Sequence, residues 1–375
     1  MDRKIVKGIA AAVLALGLWT VPAFGQLQFE RDNTGFGTTS AEFLSLGAGA
    51  RAAALGGSYS AIATDATALY WNPAGIVLSP EDKVSVFAAH TEYIADTGYD
   101  WVGVVVPLGL GTHAVGLHFA RFGFSDEQVY TEQFQDGELN ETFDVAETYV
   151  GLTYAREFTD RFSAGLTFKF ISDQLADASG TTFAFDIGTN FHTELAGRPI
   201  RWAFTIQNLG KELDHSGTVL NTGGTRPLPP GGPEGRPEEP PPSRLRTTSF
   251  QLPILFRVAL AYDVVHNGNS QATLMSEFNQ PNNNDPGFNI AGEYRFLDIG
   301  KSRVDAALRI GWTLQPDNSQ DVAGAIQADN EGLDGFALGG GLGYTVGQFD
   351  LTLDYAYRSF GALGGTDTFS FGVSW

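Results

Sequence analysis

Cysteine is absent from all 375 residues. The chain therefore has no disulfide, no thiolate metal site and no N-terminal Cys through which a lipid could anchor it. Basic residues are scarce, 23 Lys and Arg against 43 Asp and Glu, and a formal charge of −20 argues against nucleic acid as a partner. Long apolar runs are missing beyond the N-terminus, because charge or glycine cuts each one at strand spacing. That excludes a transmembrane helix, so a membrane protein of this sequence crosses as a closed barrel. His90, His113, His118, His192, His215 and His266 are scattered without metal-ligand spacing, and none stands beside a suitable Ser or Cys. Neither an enzyme nor a cofactor or metal site is expected.

What is abundant points to an all-β protein. Forty-six glycines and twenty-eight phenylalanines suit tight turns and aromatic surface better than any helical class. At the C-terminus Phe369, Phe371, Val373 and Trp375 alternate with Thr368, Ser370, Gly372 and Ser374. A strand with one aromatic and one polar face suits a wall between lipid and a wet lumen. Fourteen segments of strand pattern follow Asp82, at about 82–94, 98–107, 112–124, 142–158, 161–175, 179–192, 200–210, 249–265, 269–280, 286–297, 301–314, 334–346, 347–359 and 364–375. Their even number fits a 14-stranded antiparallel transmembrane β-barrel, with outer-membrane lipid as its first partner. Leu351, Leu353, Tyr355, Phe369, Phe371 and Trp312 are expected to face lipid, and Asp350, Asp354, Arg358, Arg303 and Arg309 the lumen.

Connections alternate short and long. The long ones, 125–141, 211–248 and 315–333, fall on one side of the membrane, the extracellular one, which puts both termini on the other. The second contains Arg226–Pro242, too rich in proline for sheet or helix and expected to be a solvated surface loop. Asp317, Asn318, Asp321, Asp329, Asn330, Glu331 and Asp334 make the third acidic without the ligand order of a calcium loop. Residues 1–25 read as a signal peptide, basic at Arg3, Lys4 and Lys7, apolar from Gly8 to Trp19, with small residues at a cleavage site after Gly25. The remaining divisions are an N-terminal extension and plug, 26–80, and the barrel, 81–375.

Residues 40–79 do not read as a strand. They are rich in Ala and Gly and broken by Pro73, as suits a piece folded into the lumen as a plug. Arg51, Asp65, Asn72 and Pro73 are its candidate residues: Arg51 suits an ion pair with an inward acid, and Asn72 a cap or turn ahead of Pro73. The bland alternative is that these residues simply hold the segment in place. Ala337, Gly339, Gly341, Gly343 and Thr345 form a wall face without bulk, so Gly339, Gly341 and Gly343 are the expected plug-facing positions. No Lys-Ser/Thr follows these glycines, which excludes a phosphate loop.

The run Phe43-Leu-Ser-Leu-Gly-Ala-Gly-Ala-Arg-Ala-Ala-Ala-Leu-Gly-Gly57, with Asp65-Ala-Thr-Ala-Leu-Tyr-Trp-Asn-Pro-Ala-Gly75, resembles the N-terminal signature of the PorV/PorQ family, whose barrels are related to FadL. The resemblance covers about residues 40–76. It implies a bacterial outer-membrane barrel that binds or escorts exported proteins as a type IX secretion component, with secretion-system components among its partners. The FadL kinship implies an alternative, passage of hydrophobic small molecules. A barrel-wall lipase would be a third reading, and it lacks the Ser/His arrangement.

Overall fold

The computed structural model describes residue 35 and residues 37–79, 83–109, 112–130, 141–222, 243–244, 247–314 and 335–375. The expected signal peptide, the proline-rich stretch 226–242 and the loop 315–333 lie outside the described residues, as do 131–140.

Fourteen long strands form the wall: β1 Ser85–Glu92, β2 Gly98–Leu108, β3 His113–Gln128, β4 Thr142–Thr159, β5 Phe162–Leu175, β6 Ala178–Leu195, β7 Arg198–Gly210, β8 Leu255–Asn267, β9 Ser270–Pro281, β10 Gly287–Phe296, β11 Val304–Leu314, β12 Phe336–Val346, β13 Phe349–Ser359 and β14 Gly365–Ser374. Each pairs antiparallel with its sequence neighbours. β1 closes on β14, with Ser85 opposite Ser374 and Glu92 opposite Asp367. The wall is therefore a closed antiparallel barrel in which every strand has two partners, so no edge is left to aggregate. Below the seam, Val84 and Trp375 each donate a backbone N–H to the other's carbonyl at 3.0 Å. No helix among the described residues is long and apolar enough to cross a membrane.

Period-two patterning sets the faces. On β11, Leu308 and Ile310 are 63% and 52% exposed, while Ala307 before them and Arg309 between them are buried. On β13, Leu353, Tyr355 and Tyr357 point out and Asp354 and Ala356 in. Phe369 and Phe371 face outward on β14, with Thr368 and Ser370 buried behind them. Charge inside and aromatic or aliphatic bulk outside is the inverse of a soluble sheet, and it is the pattern of a wall in lipid. The tight β6–β7 turn places Ala196 and Gly197 both at positive φ, 53° and 71°, the conformation of a two-residue hairpin loop.

The starts of β8 and β11, among others, differ from the sequence pattern. β8 begins at Leu255, not 249, because Pro253 has no N–H to give a ladder and Phe250 instead bridges Leu213 across the loop stems. β11 begins at Val304, which corrects the assignment of Arg303 to the lumen. Arg303 stands exposed in the preceding turn at φ 62°, its N–H donated to Asp298 Oδ1 at 3.0 Å.

The chain ahead of β1 changes the topology at its start. An even strand count places the beginning of β1 and the end of β14 together at the short-turn end. Thr39, however, bridges Gln251 in the stem of a long loop, Ser40 N–H donates to Gln251 O at 2.9 Å, and Asn283 beyond β9 donates to Thr39 Oγ1 at 2.7 Å. The earliest described residues thus sit at the long-loop end, not beside Trp375. From there residues 41–78 run to the opposite end, touching inward faces on both sides of the ring.

Candidate functional site

Small residues let segment 41–78 fold compactly where strands surround it. A 3-10 turn, Glu42–Ser45, leads into α1, Ala50–Ala54, five residues of which only Arg51 carries charge. Gly56 and Gly57 then reverse the chain at φ 58° and 80°, a left-handed pair that residues with a Cβ resist. α2, Ala68–Trp71, ends at Asn72, and a second 3-10 turn, Pro73–Leu78, opens with proline at its first position, where no N–H is needed. Asn72 Oδ1 caps that turn by accepting from Ala74 N–H at 3.1 Å, and its amide donates to Ser60 O at 3.1 Å and Thr189 O of β6 at 3.2 Å. Asp65 works within the segment, accepting from Thr67 N–H at 2.9 Å and Tyr59 O–H at 3.2 Å.

Charged side chains of the wall converge on this segment. Arg51 reaches Glu293 of β10 in a two-pronged contact, Nε to Oε2 at 2.8 Å and Nη2 to Oε1 at 2.7 Å. Glu293 Oε2 also accepts from Arg309 Nε at 2.7 Å, and Arg309 Nη1 donates to Asp354 at 2.6 Å, giving two cations and two anions in one chain of contacts. Burial pulls the Arg51 guanidinium down, but Glu293, Tyr59 and Asp65 together outweigh it and hold the group charged well above its usual value. Glu277 of β9 accepts from Tyr59 N–H at 3.0 Å, Ser60 N–H at 2.9 Å and Ser60 O–H at 3.1 Å, which anchors the turn after α1. Burial and then the nearby Asp65 push the Tyr59 phenol up, so it stays neutral and can donate.

Beside Glu277, the Arg257 guanidinium lies 4.6 Å from the Trp71 ring centre, a cation–π contact in a dry site. Gln207 Nε2 donates to Tyr70 O. Trp71 Nε1 donates to Ala48 O at 2.8 Å, tying the two halves of the segment together. Lys169 of β5 is fully buried, 2.7 Å from Asp186 and 2.8 Å from Asn208 Oδ1. The β6–β7 register shifts beside Asp186, and Asn208 at φ 61° gives its N–H to the same carboxylate. Desolvating so many charges costs several kcal/mol each unless geometry and hydrogen bonds compensate, and here most of them have both.

Wall glycines admit the segment's backbone, though mostly not those singled out from sequence. A Cβ on Gly339 would meet Ala54 Cβ at 2.5 Å, so this position lies against α1. At Gly341 the nearest atoms are Asp354 Oδ1 and the Arg309 guanidinium, and at Gly343 the nearest is Asp305 Cβ at 3.3 Å. The glycine face of β12 therefore makes room for the wall's own ion pairs as well as for α1. Closer backbone approaches occur elsewhere: Gly311 meets Leu55 and Gly56, Gly165 meets Pro73, and Gly188 meets Asn72 and Pro73. The signal for these was present as inward glycines between polar inward neighbours, Ser163 and Thr167 around Gly165, Asp186 and Asn190 around Gly188. Among the described residues no group of three or more His, Asp or Glu has metal-holding geometry.

A family model described as type IX secretion system protein PorV matches residues 29–221. The toluene transporter TodX of Pseudomonas putida superposes with a TM-score of 0.51 at 10% identity, covering 88% of this chain and 97% of that one. The monoaromatic hydrocarbon channel CymD gives 0.51 at 11% identity, covering 88% and 96%. A FadL homologue of Pseudomonas aeruginosa gives 0.49 at 10%, covering 88% and 98%. No curated sequence matches the chain. Likeness at such identity shows the fold alone.

Proposed function

The chain belongs to the PorV family and is an outer-membrane barrel, and from that premise we propose that it binds or escorts exported proteins at its extracellular end as a type IX secretion component, with segment 41–78 as a plug in its lumen. The observation that carries this reading is the family match over residues 29–221. The lumen supports it physically. Lys169, Asp186, Arg257, Glu277, Glu293, Arg309 and Asp354 are buried inward-facing charges on β5, β6, β8–β11 and β13, and several of them grip the segment. An apolar solute passing that side would have to part ion pairs.

One observation favours the alternative, passage of hydrophobic molecules. The inward faces of β1–β4 are aromatic, with Phe87, Tyr99, Trp101 and Tyr149 buried together, and the fold is that of known hydrocarbon channels. A deletion strain separates the two readings. Exported proteins retained in the cell, with uptake of hydrophobic compounds unchanged, are expected from the first. The reverse result would establish the second.

A further inference from the structure

The outer face of β1 is its own anomaly. Its outward positions are Val86, Ala88, His90 and Glu92, where β14 carries Phe369 and Phe371 and β2 carries Val102, Val104 and Val106. Ala88 stands opposite Phe371 of β14 and Val102 of β2, and His90 opposite Phe369 and Asp100. A methyl group between such neighbours leaves a trough of about 460 Å³ along the seam, walled by Phe369, Phe371, Leu353, Val102 and Phe119. That volume is in the range of ordinary small-ligand sites. Every one of these walls belongs to the lipid-facing belt, so the trough opens into the membrane.

Its end nearer the long loops is polar. His90 Nδ1 and Asp100 Oδ1 are 2.7 Å apart, both side chains more than half exposed on the outer face. Glu92 and Asp367, paired across the seam one step higher, add negative charge. A carboxylate deep in hydrocarbon is costly, which places this end at head-group level.

We propose that this seam is a lipid-binding site, with one acyl chain of an outer-membrane lipid lying over Ala88 and its head donating hydrogen bonds to the His90–Asp100 end. The occupant is lipid because the trough is continuous with the lipid-facing surface on both sides. The acid-rich rim selects a head bearing an ammonium or hydroxyl donor over a bare anion. The site depends on the membrane setting and not on what the barrel carries.

The test uses the purified full-length chain with phosphatidylethanolamine as probe, read by native mass spectrometry during stepwise detergent removal. Wild type is expected to retain a single lipid and Ala88→Phe, which fills the trough, to retain none. Leu342→Phe, at an outward position on β12, should retain it as wild type does. Heat-modifiable migration confirms that each variant is folded; if Ala88→Phe fails there, Ala88→Leu takes its place. Equal retention by the filled variant, or no retained lipid in wild type, overturns the proposal. So does a dimer that Ala88→Phe dissociates, which would make a second copy the occupant.

Discussion

Arg51 and Glu293 lie 242 residues apart in sequence and meet through two hydrogen bonds, joining the only charged residue of α1 to the wall of β10. Glu293 is simultaneously held by Arg309, so one carboxylate serves two guanidinium groups. Removing it leaves both with too little negative charge in a confined space. Glu293→Gln is expected to destabilise the folded barrel by about 3 to 5 kcal/mol, the usual cost of breaking a buried pair from one side. Urea titration of the heat-modifiable form measures it. In the double variant Arg51→Gln/Glu293→Gln part of that loss should be recovered; two losses that simply add would mean the residues act independently.

Gly188 tests one of the close fits between wall and segment. A Cβ there would collide with Asn72 Oδ1 and come within 2.8 Å of Pro73 Cδ. Gly188→Ala should cost about 1 to 3 kcal/mol by overpacking. Gly268→Ala is the control, because nothing lies within 4 Å of its Cβ position. Equal stability of the two variants would show that the segment yields at Pro73.

Leu308 reports on the membrane band. It is 63% exposed on the outer face, between buried Ala307 and Arg309. Leu308→Arg should lower the free energy of folding into lipid vesicles by about 2 to 4 kcal/mol if the position lies near mid-bilayer. A change below about 1 kcal/mol would move this part of β11 to the interface.

The start of the segment predicts a labelling pattern that an absence of cysteine makes clean. Thr38 is exposed at the long-loop end, next to the Thr39–Gln251 bridge. A Thr38→Cys chain should react with an impermeant maleimide added to intact cells, whereas Gly268→Cys, in the β8–β9 turn at the other end, should react only after lysis. Protection of Thr38→Cys in intact cells would contradict the path described for residues 39–78.

Strand number and face assignment were legible in the sequence because each rests on period-two alternation, a local property that needs no partner to be read. Asp354 and Arg309 declared themselves as inward by sitting between Leu353 and Tyr355 and between Leu308 and Ile310. What was not legible depends on contacts between distant residues. Nothing local distinguishes Gly188 from Gly341, yet one faces Pro73 and the other Asp354 and Arg309. Arg51 could be expected to meet an acid, but the choice of Glu293 over Glu277 follows from the barrel's three-dimensional register. Arg303 was misplaced for a local reason: its alternation continues that of β11, but Asp298 turns the chain first.

Deletion of residues 40–79 tests whether the segment is what closes the lumen. Most of its aromatic and aliphatic residues are buried, and its polar ones engage β6, β9 and β10. Removing it exposes Glu277, Glu293, Arg257 and Arg309 to water, and solvation replaces the lost partners at a charged wall far better than it would at an apolar one. The strand ladders β1–β14 involve none of the deleted residues, so the emptied barrel should still close and insert. It is expected to show a single-channel conductance well above that of the intact protein in planar bilayers, together with increased antibiotic sensitivity in cells. A correctly inserted deletion variant whose conductance is unchanged would mean that residues other than this segment shut the pore. In that case the ion pairs at Arg51 would have a purely structural role, and the extracellular loops would be the next place to look for the gate.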